Sequence, residues 1–76
     1  MFVQLDFQWY ECEHVYWSME YGNYIFAINK FLNFKVLQNY YECTYRINGQ
    51  TSFLCTSDDV ESAKLFCEDY ARDLCS

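Results

Sequence analysis

Residues 41–55 read YECTYRINGQTSFLC and predict a β-hairpin. Asn48-Gly49 is a strong short-range hairpin signal, because a type I′ turn needs positive φ angles at both of its central residues. A two-residue loop at this point sets the register of the two strands. The register pairs three couples of residues on the more apolar face: Ile47 with Gln50, Tyr45 with Ser52, and Cys43 with Leu54. Together with Tyr41 they are expected to face a helix, whereas the outer face is expected to carry Glu42, Thr44, Arg46, Thr51, Phe53 and Cys55.

The residues that follow the hairpin predict the helix that covers it. Thr56-Ser57-Asp58-Asp59 offers N-cap side chains and first-turn carboxylates. Asp58 and Glu61 have the spacing of a capping box, and Ser57 is an equally good cap. Apolar residues then recur at helical spacing on the side expected to be buried: Val60, Ala63, Cys67, Tyr70, Ala71 and Leu74, with Phe66 at the margin.

The residues before the hairpin predict two or three further strands. Residues 23–28 form a strand candidate that opens at Gly22-Asn23. Residues 34–38 are expected to continue into the first strand of the hairpin, with residues 31–33 as the turn. Between residues 2 and 17 the alternation breaks at Glu11, Glu13 and His14, which predicts one strand, a bend or bulge, and a second strand over residues 15–19.

These elements predict one α+β domain over residues 1–76. Its sheet is expected to be a four- to five-stranded antiparallel meander with one C-terminal α-helix packed on one face. A chain of 76 residues has room for a single domain.

Aromatic and acidic residues dominate the composition. The chain has eight Tyr, seven Phe and two Trp, and a two-layer domain of this length has too little interior to hide them all. Some are therefore expected on an outer face, where Tyr suits a protein partner. The formal net charge of −6 favours a partner with a basic surface. It argues against direct binding to nucleic acid or to an anionic membrane.

The cysteines and the N-terminal residues predict a cytoplasmic protein. Residues 1–6 contain no basic stretch and no cleavage site, so no signal peptide is expected. No apolar run reaches the roughly 20 residues of a membrane span. Five cysteines, an odd number, favour free thiols in a reducing compartment.

No set of residues points to catalysis or to a cofactor, and the chain is expected not to be an enzyme. His14 is the one histidine available as a base for a nucleophile. A zinc site needs four nitrogen or sulfur ligands, and the usual short Cys-to-Cys spacing is missing. A site assembled from Cys12, His14, Cys43 and Cys55 stays open, beside the interpretation that these cysteines are small hydrophobic residues of the core.

Two groups of residues are candidates for binding a protein partner. The first places aromatic side chains among carboxylates, an arrangement that suits Arg or Lys: Trp9, Tyr10, Glu11, Glu13, Tyr16, Trp17 and Glu20. The second is a row of helix carboxylates that could imitate phosphates: Glu61, Glu68, Asp69 and Asp73. The alternatives are a buried Trp pair with charges that block strand addition, and a solvated helix face.

The segment Ile47-Asn48-Gly49 and the segment from Ser57 to Lys64 resemble the ending of many small phage and prophage proteins. In those proteins a tyrosine-rich meander runs into a helix that begins S-x-x-x-E-x-A-K. Small acidic phage proteins include anti-CRISPR and anti-restriction inhibitors, so the resemblance implies an inhibitor of a host nuclease or CRISPR effector. It assigns no functional residue. The alternative functions are a homodimeric module that uses exposed aromatic residues and a small zinc-binding protein.

Overall fold

The structure, a computed structural model, describes residues 7–75, with only the backbone described at residue 75. A five-stranded antiparallel sheet, in which each strand pairs with the next along the chain, is covered on one face by a C-terminal helix. The α+β class and the meander are thus confirmed. The strand expected to begin near residue 2 lies in part outside the described residues. The elements are β1 Tyr10–Cys12, β2 Tyr16–Tyr21, β3 Tyr24–Asn33, β4 Gln38–Ile47, β5 Gln50–Ser57 and α1 Val60–Cys75.

The β4–β5 hairpin has the predicted turn but an unexpected bulge. Asn48 and Gly49 have φ angles of 54° and 79°, as a type I′ turn requires, and Ile47 pairs with Gln50. Further along, Cys43 pairs with Cys55 while Thr44 pairs with Phe53, so Leu54 is an extra residue in β5. The expected pairing of Cys43 with Leu54 is therefore wrong. Because the bulge changes which side chains point inward, Cys55 packs against the core and not on the outer face.

The β3–β4 connection lies further along the chain than expected. β3 continues through Asn33, and residues 34–37 form the turn, so the expected turn at residues 31–33 is wrong. The side chain of Asn33 accepts a hydrogen bond from the backbone N–H of Lys35 at 3.0 Å, which favours a turn here without glycine or proline. Leu37 completes the turn with a φ angle of 53°.

The polar break near the N-terminus is a tight turn. Glu13 and His14 have φ angles of 54° and 58°, and the N–H of Val15 donates to the carbonyl oxygen of Cys12 at 3.1 Å. This turn folds β1 back onto β2, so that Tyr10 pairs with Ser18.

The core lies between the sheet and α1. One row of paired residues crosses all five strands on the helix-facing side: Glu11, Trp17, Ile28, Cys43 and Cys55. Phe26 and Met19 are fully buried beside this row. On the helix, the buried residues are small, which lets α1 approach the sheet closely: Ala63, Cys67 and Ala71.

The start and end of α1 differ from the expectation in detail. Asp59 is the N-cap, since its side chain accepts a hydrogen bond from the N–H of Ser62 at 2.8 Å. Neither Asp58 nor Ser57 has this role. Leu74, expected on the buried side, is exposed near the C-terminal end of the helix.

Candidate partner-binding site

Both tryptophans are held by carboxylates of the chain itself. The indole N–H of Trp17 donates to Glu11 at 2.6 Å, and the Trp17 side chain is buried against α1. The indole N–H of Trp9 donates to Glu68 on α1 at 2.8 Å, and Trp9 is half-buried. The Trp9–Glu68 hydrogen bond joins the two groups of residues that the sequence suggested separately. The Trp9–Glu68 hydrogen bond connects the residue before β1 to the helix, and the Trp17–Glu11 hydrogen bond connects β2 to β1.

The other residues of the N-terminal group lie on or near the outer face of the sheet. Tyr10 and Glu20 are exposed, and Tyr16 is half-buried between Cys12 and Asn29 in the strand pairing. Glu13 is exposed in the β1–β2 turn. The helix packs on the opposite face, and no described element covers these side chains.

A cleft of about 670 Å³ opens beside β1 and β2. The described residues that line it are Gln8, Trp9, Tyr10, Ser18 and Glu20. Tyr10 pairs with Ser18, and Glu20 follows Ser18 two positions later on the same face of β2, so the Tyr10 ring and the Glu20 carboxylate border one space. The Tyr10 residue is 66% exposed. Gln8 and Ser18 were not among the candidates, because only the register of the β1–β2 turn reveals them.

The carboxylates of α1 are mostly engaged within the helix. Asp69 forms an ion pair with Arg72 at 2.6 Å, and Glu61 lies 3.8 Å from Lys64. The Arg72 guanidinium also lies 5.2 Å from the centre of the Phe7 ring. Glu61 and Asp69 thus already face cations of their own helix, whereas within residues 7–74 no ion pair involves Glu20.

The core cysteines form a cluster of three thiols that includes Cys67, which the proposed zinc set lacked. The Cys43 thiol shares hydrogen bonds with Cys67 and Cys55, and the Cys67 contact and burial raise its pKa strongly. Burial, aided by Cys43, raises the pKa of Cys55 to about 12. A metal ion would have to displace the protons of both thiols, and this costs more free energy the higher their pKa values are.

Cys12 and His14 lie apart from that cluster. Cys12 is exposed and pairs with Tyr16, on the face opposite Cys43. The Nδ1 atom of His14 lies 3.0 Å from a carboxylate oxygen of Glu11 at the exposed turn. Across residues 7–75, no group of three or more His, Cys, Asp or Glu side chains is arranged to hold a metal ion.

The helix of this fold is short, and among the described residues no helix is both long and apolar enough to cross a membrane. No protein-family model, no curated protein and no solved structure matches the chain.

Proposed function

We propose that this chain is a non-enzymatic binding protein whose β1–β2 cleft receives an Arg or Lys side chain of a protein partner. The observation that carries this proposal is the cleft itself, where the ring of Tyr10 and the carboxylate of Glu20 border one space. An aromatic ring attracts a cation over its face, and a carboxylate accepts charge-assisted hydrogen bonds from the same cation. Arg fits such a pair better than Lys, because its planar group can stack and donate two parallel hydrogen bonds.

We further propose that the partner is a host defence protein and that the chain is a phage-encoded, anti-CRISPR-like inhibitor. The net charge of −6 supports a partner with a basic surface, such as the nucleic-acid-binding surface of a nuclease. The resemblance of the hairpin and helix to small phage proteins supports the same role. An inhibitor of this kind acts in the cytoplasm of the host cell.

A peptide titration tests the cleft directly. We expect a short peptide with one central Arg to shift the backbone amide NMR signals of Tyr10, Ser18 and Glu20, because these residues line the cleft. The same peptide with citrulline, which has the shape of Arg without its charge, should bind at least about tenfold more weakly. The Glu20→Gln variant should lose the preference for Arg over citrulline, and Tyr10→Ala should weaken both peptides.

Glu13→Gln is the matched control for this titration. Glu13 is as exposed as Glu20 but lies in the β1–β2 turn and does not line the cleft. It removes the same charge from the chain, so an effect of net charge alone would appear in both variants. Equal affinities for the Arg and citrulline peptides, or equal losses in Glu13→Gln and Glu20→Gln, would contradict the proposed cleft.

The inhibitor role has its own test in living bacteria. Strains that carry one CRISPR or restriction system each would express the chain and then be challenged with a phage that the system restricts. We expect plaque counts to rise in at least one strain, and the rise to disappear with Glu20→Lys but to persist with Glu13→Lys. Unchanged plaque counts in every strain would remove the inhibitor role, while leaving the peptide result to stand by itself.

A further inference from the structure

The β3–β4 hairpin projects beyond the rest of the sheet as an arm, which we define as residues 31–40. β3 and β4 pair with each other as far as Asn33 and Gln38. Their outer neighbours stop earlier, because the last residue of β3 that pairs with β2 is Asn29 and the first residue of β4 that pairs with β5 is Tyr41. The arm is ordered at its base, where the rings of Phe31 and Tyr40 stack with centres 5.5 Å apart. The longest dimension of the molecule is 49 Å, against 27 and 22 Å for the other two.

The tip of the arm exposes an apolar patch that a folded surface rarely leaves bare. Phe34 is 80% exposed and Leu37 is 77% exposed. Three further residues add apolar area to the patch: Phe31, Leu32 and Val36. Phe31 and Leu32 are consecutive in β3, so their side chains point to opposite faces of the arm and the apolar area extends around it.

The arm is also cationic within an acidic chain. Lys35 is the one charged residue of the arm, and Lys30 immediately precedes the arm, while the whole chain has a net charge of −6. Among the described residues that line the shallow cleft beside Val36 and Tyr40, Asp58 alone carries a carboxylate. A surface that complements the tip must therefore be apolar at its centre and acidic at its rim.

The helix of the same chain has such a surface on its outer side. Leu65 is 58% exposed, and Phe66 beside it is exposed as well. Glu61 and Asp69 lie one turn before and one turn after Leu65, so the three share one face of α1. We name Glu61, Leu65, Phe66 and Asp69 the helix patch.

We propose that the arm of one copy docks on the helix patch of a second copy, and that the exchange is reciprocal. Phe34 and Leu37 bury against Leu65 and Phe66, and Lys35 approaches the Glu61 and Asp69 carboxylates, where it competes with Lys64 and Arg72 of the helix. Each copy carries both an arm and a helix patch. Two copies related by a two-fold axis can therefore bury both arms on both helix patches, which limits the assembly to two chains. The β1–β2 cleft takes no part in this contact. The dimer therefore goes beyond the proposed function, and a test of the dimer does not decide whether the cleft binds a partner.

Sedimentation of the full chain over a concentration series tests the dimer. We expect a species of twice the 9.3 kDa chain mass to grow with concentration. Phe34→Asp and Leu65→Asp should each raise the dissociation constant of the dimer at least about tenfold, since each removes an apolar contact at the centre. Phe53→Asp is the control, because Phe53 is exposed on the sheet face away from α1 and should leave the dimer intact.

Mixing the two variants separates reciprocal docking from other modes of association. Phe34→Asp keeps a normal helix patch, and Leu65→Asp keeps a normal arm, so a mixed dimer retains one of the two contacts. We expect the mixture to form mixed dimers at concentrations where each variant alone is a monomer. A monomeric wild-type chain at all concentrations would overturn the proposal. So would a Leu65→Asp chain that dimerises with the dissociation constant of the wild type, or a monomer whose arm instead binds anionic lipid vesicles.

Discussion

Asp59 ties the stability of α1 to pH. Its side chain accepts hydrogen bonds from the N–H and the hydroxyl of Ser62, and these bonds hold the pKa of the Asp59 carboxyl below its usual value. A carboxyl whose pKa is lower in the folded state contributes stability above its unfolded pKa. That contribution is lost as the pH falls through the folded pKa.

The first prediction follows from this cap. Asp59→Ala should lower the urea midpoint of unfolding at pH 7, because the helix loses its N-cap. The gap between the variant and the wild type should narrow below about pH 4, where an Asp carboxyl begins to take up its proton. Asp58→Ala removes a neighbouring exposed carboxylate that is not the cap and should have little effect. Equal losses in the two variants, or a gap that does not change with pH, would count against Asp59 as the cap.

The second prediction concerns the reactivity of the thiols. Cys43 and Cys67 are fully buried, and the pKa of Cys55 is raised to about 12, so these three should resist alkylation in the folded protein. Cys12 is exposed and should react readily at pH 7.5. Peptide mass mapping after treatment with iodoacetamide would report each site, and all of them should react in denaturant. Labelling of Cys43 or Cys67 as fast as Cys12 would show that the thiol cluster opens.

At the scale of elements, two turns of the sheet use the same backbone conformation with very different residues. Asn48-Gly49 adopts positive φ angles at little cost, because Gly lacks a Cβ and Asn tolerates this region. Glu13 and His14 adopt the same left-handed backbone conformation in the β1–β2 turn, and it is strained there because both residues have a Cβ close to a carbonyl oxygen. The β1–β2 turn therefore weakens the edge of the sheet that carries the cleft.

The third prediction transfers the favourable turn residues to the strained turn. Glu13→Asn combined with His14→Gly should stabilise the fold by roughly 1 kcal/mol, from the relief of left-handed strain. The contact of His14 with Glu11 would be lost, but it is solvent-exposed and contributes little. The reverse pair, Asn48→Glu with Gly49→His, should destabilise the β4–β5 hairpin. Urea unfolding measures both, and a double variant at positions 13 and 14 that is less stable than the wild type would refute the strain argument.

These two turns and the turn at residues 34–37 explain how far the sequence could predict the fold and the site. Asn48-Gly49 is a dipeptide that favours the positive φ angles of a type I′ turn, so the strand register next to this turn could be predicted. The turn at residues 34–37 has none, since Phe34, Val36 and Leu37 have the composition of a strand. Tyr10 and Glu20 could be named as candidate binding residues from their chemistry. Their position in one cleft could not, because it depends on the strained β1–β2 turn.

For the whole molecule, one thin core connects the helix with strands β2 to β5. The buried residues of β2, β3, β4 and α1 form a single cluster, in which Phe26 contacts the rings of Tyr24, Tyr45 and Tyr70. Tyr70 lies on α1, so these ring contacts attach the helix to the sheet. A domain this small buries only about 60% of its unfolded surface, and it has little stability to lose.

Two phenylalanines in neighbouring parts of the sheet allow a matched test of this dependence. Phe26 is fully buried and Phe53 is 62% exposed on the opposite face. Phe26→Ala should cost about 3–5 kcal/mol, a large part of the roughly 4–11 kcal/mol expected for a chain of this length. Phe53→Ala should cost about 0.5 kcal/mol or less. Circular dichroism of the helix and fluorescence of the buried Trp17 should report the same urea midpoint in each variant, because both probes depend on the single core. Two separate midpoints would mean that α1 detaches before the sheet unfolds. The contact of the Phe26 and Tyr70 rings would then not be strong enough to make helix and sheet unfold together.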